Sequence, residues 1–169
     1  MNKDNIILIG MPGCGKSTLG VLLAKTLLKS FIDTDLLIQQ QEGKELYKII
    51  AEKGKDAFAK IENEAVAKVD CHNSIIATGG SVVFGEDAMK NLKSLGTVVY
   101  LKLPLHEIER RVRNIHTRGI VMAPGQTLAS VFHERVPLYE KYADITVHCS
   151  RAPLEKTVEK IMKALNEQS

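Results

Sequence analysis

A lysine, a serine, two aspartates and a set of arginines stand in this sequence at spacings suited to handling phosphate. Lys16 and Ser17 fall near the end of the stretch Gly10-Met11-Pro12-Gly13-Cys14-Gly15-Lys16-Ser17-Thr18, which fits G-x-x-x-x-G-K-[ST], a phosphate-binding P-loop. Its three glycines let the backbone curl so that N–H groups converge on phosphate oxygens, at the positive end of the helix that follows. Lys16 would reach the β- and γ-phosphates, and the Ser17 hydroxyl would ligate Mg²⁺. Cys14 lies where a thiol pKa tends to fall, but a small residue filling an x position accounts for it. The stretch implies a bound nucleoside triphosphate.

Two further segments and one residue type bear on what faces that triphosphate. Asp33-Thr34-Asp35 ends a predicted strand, and a spacing of two in an extended chain points both carboxylates the same way. One acid near Mg²⁺ and a second near an acceptor hydroxyl would divide the labour of phosphoryl transfer; alternatively one of the two caps the next helix. Thr78-Gly79-Gly80-Ser81 follows another strand, where tandem glycines allow close backbone approach to a ligand or simply make a turn. Arginines 110, 111, 113, 118 and 135 could hold carboxylates or phosphates in planar, bidentate fashion. From pattern alone Arg118 stands out, because the stretch from His116 to Thr127 has two glycines, a proline and no amphipathic period. It reads either as a lid over bound phosphates or as an ordinary surface loop.

The elements that must position these residues alternate between apolar strands and amphipathic helices, the pattern of an α/β chain with a parallel sheet. Strands are predicted at 5–9, 30–33, 74–77, 97–101 and 144–148. Leu19, Leu22, Leu23 and Leu27 recur at helical spacing after the P-loop. Phe58, Ile61, Ala65 and Val69 line one helix face, and Leu154, Val158, Ile161 and Leu165 another. Ligands of such sheets bind at the carboxyl ends of the strands, where each candidate segment falls.

Composition narrows the partners. The 169 residues are 44% hydrophobic and 25% charged, with a net charge of +3 and no basic tail, so neither nucleic acid nor a disordered role is implied. Three widely spaced cysteines argue against a disulfide framework or zinc site and favour a reducing, cytoplasmic setting. No apolar run approaches the ~20 residues that cross a bilayer, and the first residues have no signal-peptide character.

Together these segments resemble the shikimate kinase family, small P-loop kinases related to the nucleoside monophosphate kinases. Asp33-Thr34-Asp35 matches the family's D-x-D, Ala77-Thr78-Gly79-Gly80 its A-T-G-G-G, and Glu134-Arg135-Val136-Pro137-Leu138-Tyr139 its E-R-x-P-L-Y. The resemblance implies a P-loop NTPase fold: a five-stranded parallel sheet flanked by helices on both faces. It also implies a single kinase domain over residues 1–169, with an acceptor-binding helical segment at about 35–62 and a lid at about 112–127. ATP would be held by Gly13, Cys14, Gly15, Lys16, Ser17 and Thr18, with Arg111 on adenine and Arg118 on the phosphates. Mg²⁺ would be held by Ser17 and Asp33. The acceptor, a small molecule, would meet Asp35, Gly79, Gly80 and Arg135, and Lys16, Asp35 and Arg118 would serve catalysis. A monomer is implied, without nucleic-acid or membrane partners.

Three departures fall on the acceptor side and the lid. The family's F-R-x-x-E reads Phe58-Ala59-Lys60-Ile61-Glu62, so Ala59 stands where an arginine clamps the shikimate carboxylate. Losing such a contact costs about 1.5–3 kcal/mol. Lys60 lies about 100° further round the helix and is an awkward substitute. Ser81 replaces the third glycine of A-T-G-G-G, and Arg118-Gly119-Ile120-Val121 replaces a stiffer R-P-L-L. Three readings are open: a shikimate kinase, a kinase of the same build for another hydroxy acid or polyol, and a nucleotide-binding regulator without transfer activity.

Overall fold

A computed structural model describes residues 3–112, 120–149 and 151–168. Strands β1 (Asn5–Ile9), β2 (Ser30–Asp33), β3 (Ser74–Ala77), β4 (Gly96–Lys102) and β5 (Ile145–His148) form one parallel sheet in the order β2-β3-β1-β4-β5. All five expected strands are present. β4 runs one residue further at each end, and β5 begins one residue later because Asp144 turns its carboxylate to the Val98 N–H.

β1 is buried along its whole length, as an unbroken apolar run between two paired neighbours must be. Among the described residues eight helices flank the sheet: α1 (Lys16–Leu27), α2 (Thr34–Glu42), α3 (Leu46–Lys53), α4 (Lys55–Ala67), α5 (Glu86–Leu95), α6 (Leu105–Arg111), α7 (Leu128–Tyr142) and α8 (Leu154–Glu167), with a 3₁₀ turn at Val82–Phe84. The P-loop joins the central strand β1 to α1, so the phosphate cradle sits in the middle of the sheet's carboxyl edge.

The stripe that α4 buries differs from the expected one. Phe58, Glu62 and Val66 are its buried residues, while Ile61, Ala65 and Val69 are only partly covered. The cause is packing on two sides: α4 lies against α5 and also against α2 and α3. The second contact makes a small separate core of Ile38, Ile49, Phe58 and Val121. In α8, Val158 and Ile161 are buried as expected, but Leu154 in the first turn is exposed. α7 is a helix that apolar periodicity does not announce. It is started by reciprocal hydrogen bonds between Thr127 and Ser130, a capping box.

The amino ends of the strands are tied by one buried polar side chain. Asn5 Nδ2 donates to the carbonyls of Cys71 (2.9 Å) and Leu95 (3.0 Å), and its Oδ1 accepts from the Ser74 N–H at 2.9 Å. An Asn5→Leu change would leave three backbone groups without partners. We expect it to destabilise the fold by roughly 3 kcal/mol in urea unfolding. Nucleotide affinity should be unaffected, because the P-loop lies at the opposite end of β1.

Candidate active site

The P-loop takes the shape its glycines permit. Gly13 and Gly15 have φ of 79° and 97°, and a Cβ on Gly13 would collide with Cγ2 of Val112. α1 begins at Lys16 with no side-chain cap and no acidic residue in its first turn, which leaves its leading N–H groups to an anion. Ser17 and Thr18 are exposed at that end. Lys16 is buried, its Nζ donating to the carbonyls of Gly10 (2.7 Å) and Met11 (2.9 Å). The ammonium is thus held over the loop without a carboxylate partner among the described residues. Cys14 turns into the core, and its N–H donates to the Met11 carbonyl.

Asp33 takes the capping role that one of the sequence alternatives gives an aspartate, and it also meets Ser17. Its Oδ1 accepts from the N–H groups of Asp35 (3.0 Å) and Leu36 (3.3 Å), capping α2, while Oδ2 accepts from Ser17 Oγ at 2.9 Å. The expected strand alternation does not orient the two acids. The strand ends at Asp33 and the helix starts at Thr34, so Asp35 stands in the first helical turn and the cap brings it round to the site. The Ser17 hydroxyl and the Asp33 carboxylate form a pair of hard oxygen donors beside the phosphate cradle, a set that suits Mg²⁺.

The third strand supplies a shelf beside the P-loop. Thr78 donates to the Leu8 carbonyl through both its N–H (3.3 Å) and Oγ1 (2.8 Å), locking the shelf to β1. A Cβ on Gly79 would meet Asp35 Oδ1 at 2.6 Å and Glu62 Oε2 at 2.7 Å, so a side chain there would push both carboxyls out of place. A Cβ on Gly80 would lie 2.9 Å from both Arg135 Nη1 and Pro12 Cδ. Arg135 and Tyr139, four residues apart on α7, point the same way. The Tyr139 hydroxyl donates to the Gly80 carbonyl at 2.6 Å, and Arg135 Nη2 donates to the Val121 carbonyl at 2.6 Å. Arg135 is buried, yet among the described residues no carboxylate lies within ion-pair distance of it. Its guanidinium also lies over the Phe84 ring.

These parts enclose one cavity of about 260 Å³, open at the mouth. Gly13, Gly15, Lys16, Ser17 and Thr18 line one end, and Asp35, Gly79, Gly80 and Arg135 the other. Arg111 lies beside the loop, its Cβ 3.9 Å from where a Cβ on Gly13 would be, but not on the cavity wall. Arg118 and the rest of 113–119 lie outside the described residues. Beyond them Ile120 and Val121 reach the cavity wall.

Ala59 is exposed and lines a neighbouring cleft of about 340 Å³ instead. The two spaces share Glu62 and Ser81 as a common wall. Glu62, the last residue of the F-R-x-x-E match, lines the cavity although it is not among the expected site residues. The available signal was a carboxylate four residues after Phe58, inside the stripe that a helix buries.

Burial shapes the acids. It pushes the Asp35 carboxyl up to about 6, with the nearby Asp33 charge adding and Lys16 opposing. Glu62 is pushed up to about 7, again by burial, against the hydrogen bond from Ser81 and with Asp35 adding. A folded Asp35 therefore binds its proton more tightly than the unfolded chain does. The associated stability is present below about pH 4 and is lost as pH rises through about 6. The ligand-free Asp35→Asn variant should escape that loss. We expect it to exceed the wild type by on the order of 2 kcal/mol at pH 8 but not at pH 4, as read by urea unfolding at the two pH values.

This geometry can hold a polyanion against α1 beside a second, polar compound. The family model described as shikimate kinase matches residues 12–166. A shikimate kinase of Clostridium botulinum is 33% identical over 164 residues, covering 96% of this chain and 98% of that protein. One from Francisella tularensis is 34% identical over 173 residues, with 100% and 98% covered. Among solved structures, the shikimate kinase from Acinetobacter baumannii in complex with shikimate superposes with a TM-score of 0.91 at 26% identity, covering 99% of this chain and 96% of that one. The Aquifex aeolicus enzyme does so at 0.81 and 33% identity, covering 97% of each. With its P-loop, its D-T-D turn and its glycine shelf in these positions, the chain belongs to the shikimate kinase family.

Proposed function

We propose that this chain transfers the γ-phosphoryl group of ATP to a hydroxyl of shikimate, acting as a monomer in the cytoplasm. The observation that carries the reading is one cavity with a phosphate cradle at one end, and at the other two buried carboxyl oxygens and a buried arginine that has no carboxylate partner among the described residues. The N–H groups of the first turn of α1 and the Lys16 ammonium bind the phosphates and draw off the charge that develops in transfer. Arg118 adds to this from the lid, and Arg111 packs on adenine. Ser17 and Asp33 would hold Mg²⁺, which would supply neutralisation of phosphate charge.

Asp35 accepts a hydrogen bond from the acceptor hydroxyl and aims its oxygen at the γ-phosphorus. As the new O–P bond forms and the bond to ADP breaks, the hydroxyl proton passes to Asp35 and then to solvent. A carboxyl raised to about 6 is still ionised at neutral pH, yet basic enough to take that proton. Gly79 and Gly80 let the acceptor lie close to the backbone, and Arg135 takes its carboxylate. Closure of the lid excludes water and suppresses hydrolysis of ATP.

A second reading keeps the reaction and changes the acceptor to another hydroxy acid or polyol. Ala59 favours it, because Arg135 is then the one buried guanidinium among the described residues that faces the acceptor end. Coupled ADP-release assays with shikimate and a panel of hydroxy acids and polyols decide between the two. Turnover of another acid with none of shikimate would overturn the first. Lys16→Ala should lower kcat by about 10²–10³-fold or more. Asp35→Ala should lower it by about 10²–10⁴-fold with ATP affinity nearly unchanged. Weak ATP binding in the Asp35 variant would place that residue elsewhere in the mechanism.

A further inference from the structure

The 3₁₀ turn that follows the glycine shelf ends on a side chain that burial does not explain. Val82 and Val83 are buried and anchor the turn in the core, whereas Phe84 is 38% exposed. The backbone nevertheless holds Phe84 in place. Its N–H donates to the Ser81 carbonyl at 3.1 Å, and the Gly85 N–H donates to the Val82 carbonyl at 3.0 Å. Phe84 and Ala59 both line the cleft beside the acceptor cavity. The Arg135 guanidinium carbon lies over the Phe84 ring, 5.7 Å from its centroid, within the range of a cation–π contact.

That contact answers a need specific to Arg135. The residue is 3% exposed, so its cation has lost most of its hydration, and Nη2 donates to the Val121 carbonyl. Among the described residues no carboxylate lies within ion-pair distance of it. A carboxylate would restrain the guanidinium, but it would also take the N–H groups that an anion in the cavity has to reach. An aromatic face attracts the cation through its π-cloud and uses none of the N–H groups along the guanidinium edge. Ala59 brings no second cation to this end of the cavity, so an acceptor carboxylate depends on how Arg135 is aimed. We infer that Phe84 is a positioning residue: its ring holds the Arg135 guanidinium in the orientation that meets the acceptor carboxylate, without competing for its donors. The inference rests on the reading that Arg135 takes that carboxylate.

The test varies the ring and the charge of the acceptor together. ADP release by the full chain is followed for the wild type, Phe84→Leu and Phe84→Tyr, with shikimate or whichever hydroxy acid of the panel the wild type uses. The uncharged carboxamide of the same acid is measured as a competitive inhibitor. Leucine keeps an apolar side chain without a π-face, and tyrosine restores the face. Phe84→Leu should raise KM for the acid by about three- to tenfold, with kcat, KM for ATP and the melting temperature nearly unchanged. Phe84→Tyr should match the wild type. The carboxamide should inhibit all three proteins equally, because it brings no charge to Arg135. A ring that merely fills space would weaken the acid and the carboxamide alike, or lower kcat and the melting temperature together, and either result would overturn the inference. An unchanged KM in Phe84→Leu would overturn it too, as would a tyrosine variant no better than the leucine one. Absence of wild-type turnover with every carboxylated acceptor would instead overturn the kinase reading, and this inference with it.

Discussion

The pairing of β1 with β3 is the constraint on which the rest of the site depends. It sets Leu8 opposite Ala77, and Thr78 then closes two hydrogen bonds onto the Leu8 carbonyl just beyond the last paired residues. Because the P-loop leaves β1 two residues after Leu8, this register sets the phosphate cradle and the glycine shelf side by side. The neighbouring pair of β2 with β3 delivers Asp33 to the same edge, opposite Ala77. A slip of one residue in either pairing would turn every side chain to the other face of the sheet and dismantle the site.

Around that edge the protein carries groups that a purely structural design would avoid. Lys16 and Arg135 are buried cations, and Asp35 and Glu62 are acids with unpartnered oxygens. Each raises the free energy of the empty protein, and burial pushes both acids towards their protonated forms. The surrounding structure tolerates this because the parts are held by hydrogen bonds from neighbouring groups of the protein. The cap on α2 orients Asp33 and positions Asp35, Tyr139 secures Gly80, the Val121 carbonyl restrains Arg135, and Ser81 restrains Glu62. A site built in this way is organised before its ligands arrive, which is the condition for stabilising charge as it develops in transfer.

The departures of this chain from the family pattern acquire a physical relation once they are in space. Ala59 and Ser81 are far apart in sequence, yet both border the wall that Glu62 makes between two spaces. Ser81 offers Glu62 a neutral hydrogen bond, and Ala59 offers it no charge. The departure at position 81 thus acts on the carboxyl that stands between the two spaces.

The phosphate end of the site was legible in the residues themselves. A P-loop is a local structure: its glycines, its lysine and the helix that follows are contiguous, and their chemistry follows from spacing alone. The strands were legible for a similar reason, since an unbroken apolar run has few alternatives to a buried parallel strand. The acceptor end was not, because it is assembled from α2, α4, the turn after β3 and α7, which meet only when the sheet forms. Periodicity on α4 chose Ile61, Ala65 and Val69 as the inward stripe, and packing against three helices chose Glu62 and Val66 instead. Identity of residue type sufficed to say that a triphosphate binds, because binding it needs one short loop. Which oxygen lies unpartnered beside which glycine depends on contacts between residues tens of positions apart, and those come into being only with the folded chain.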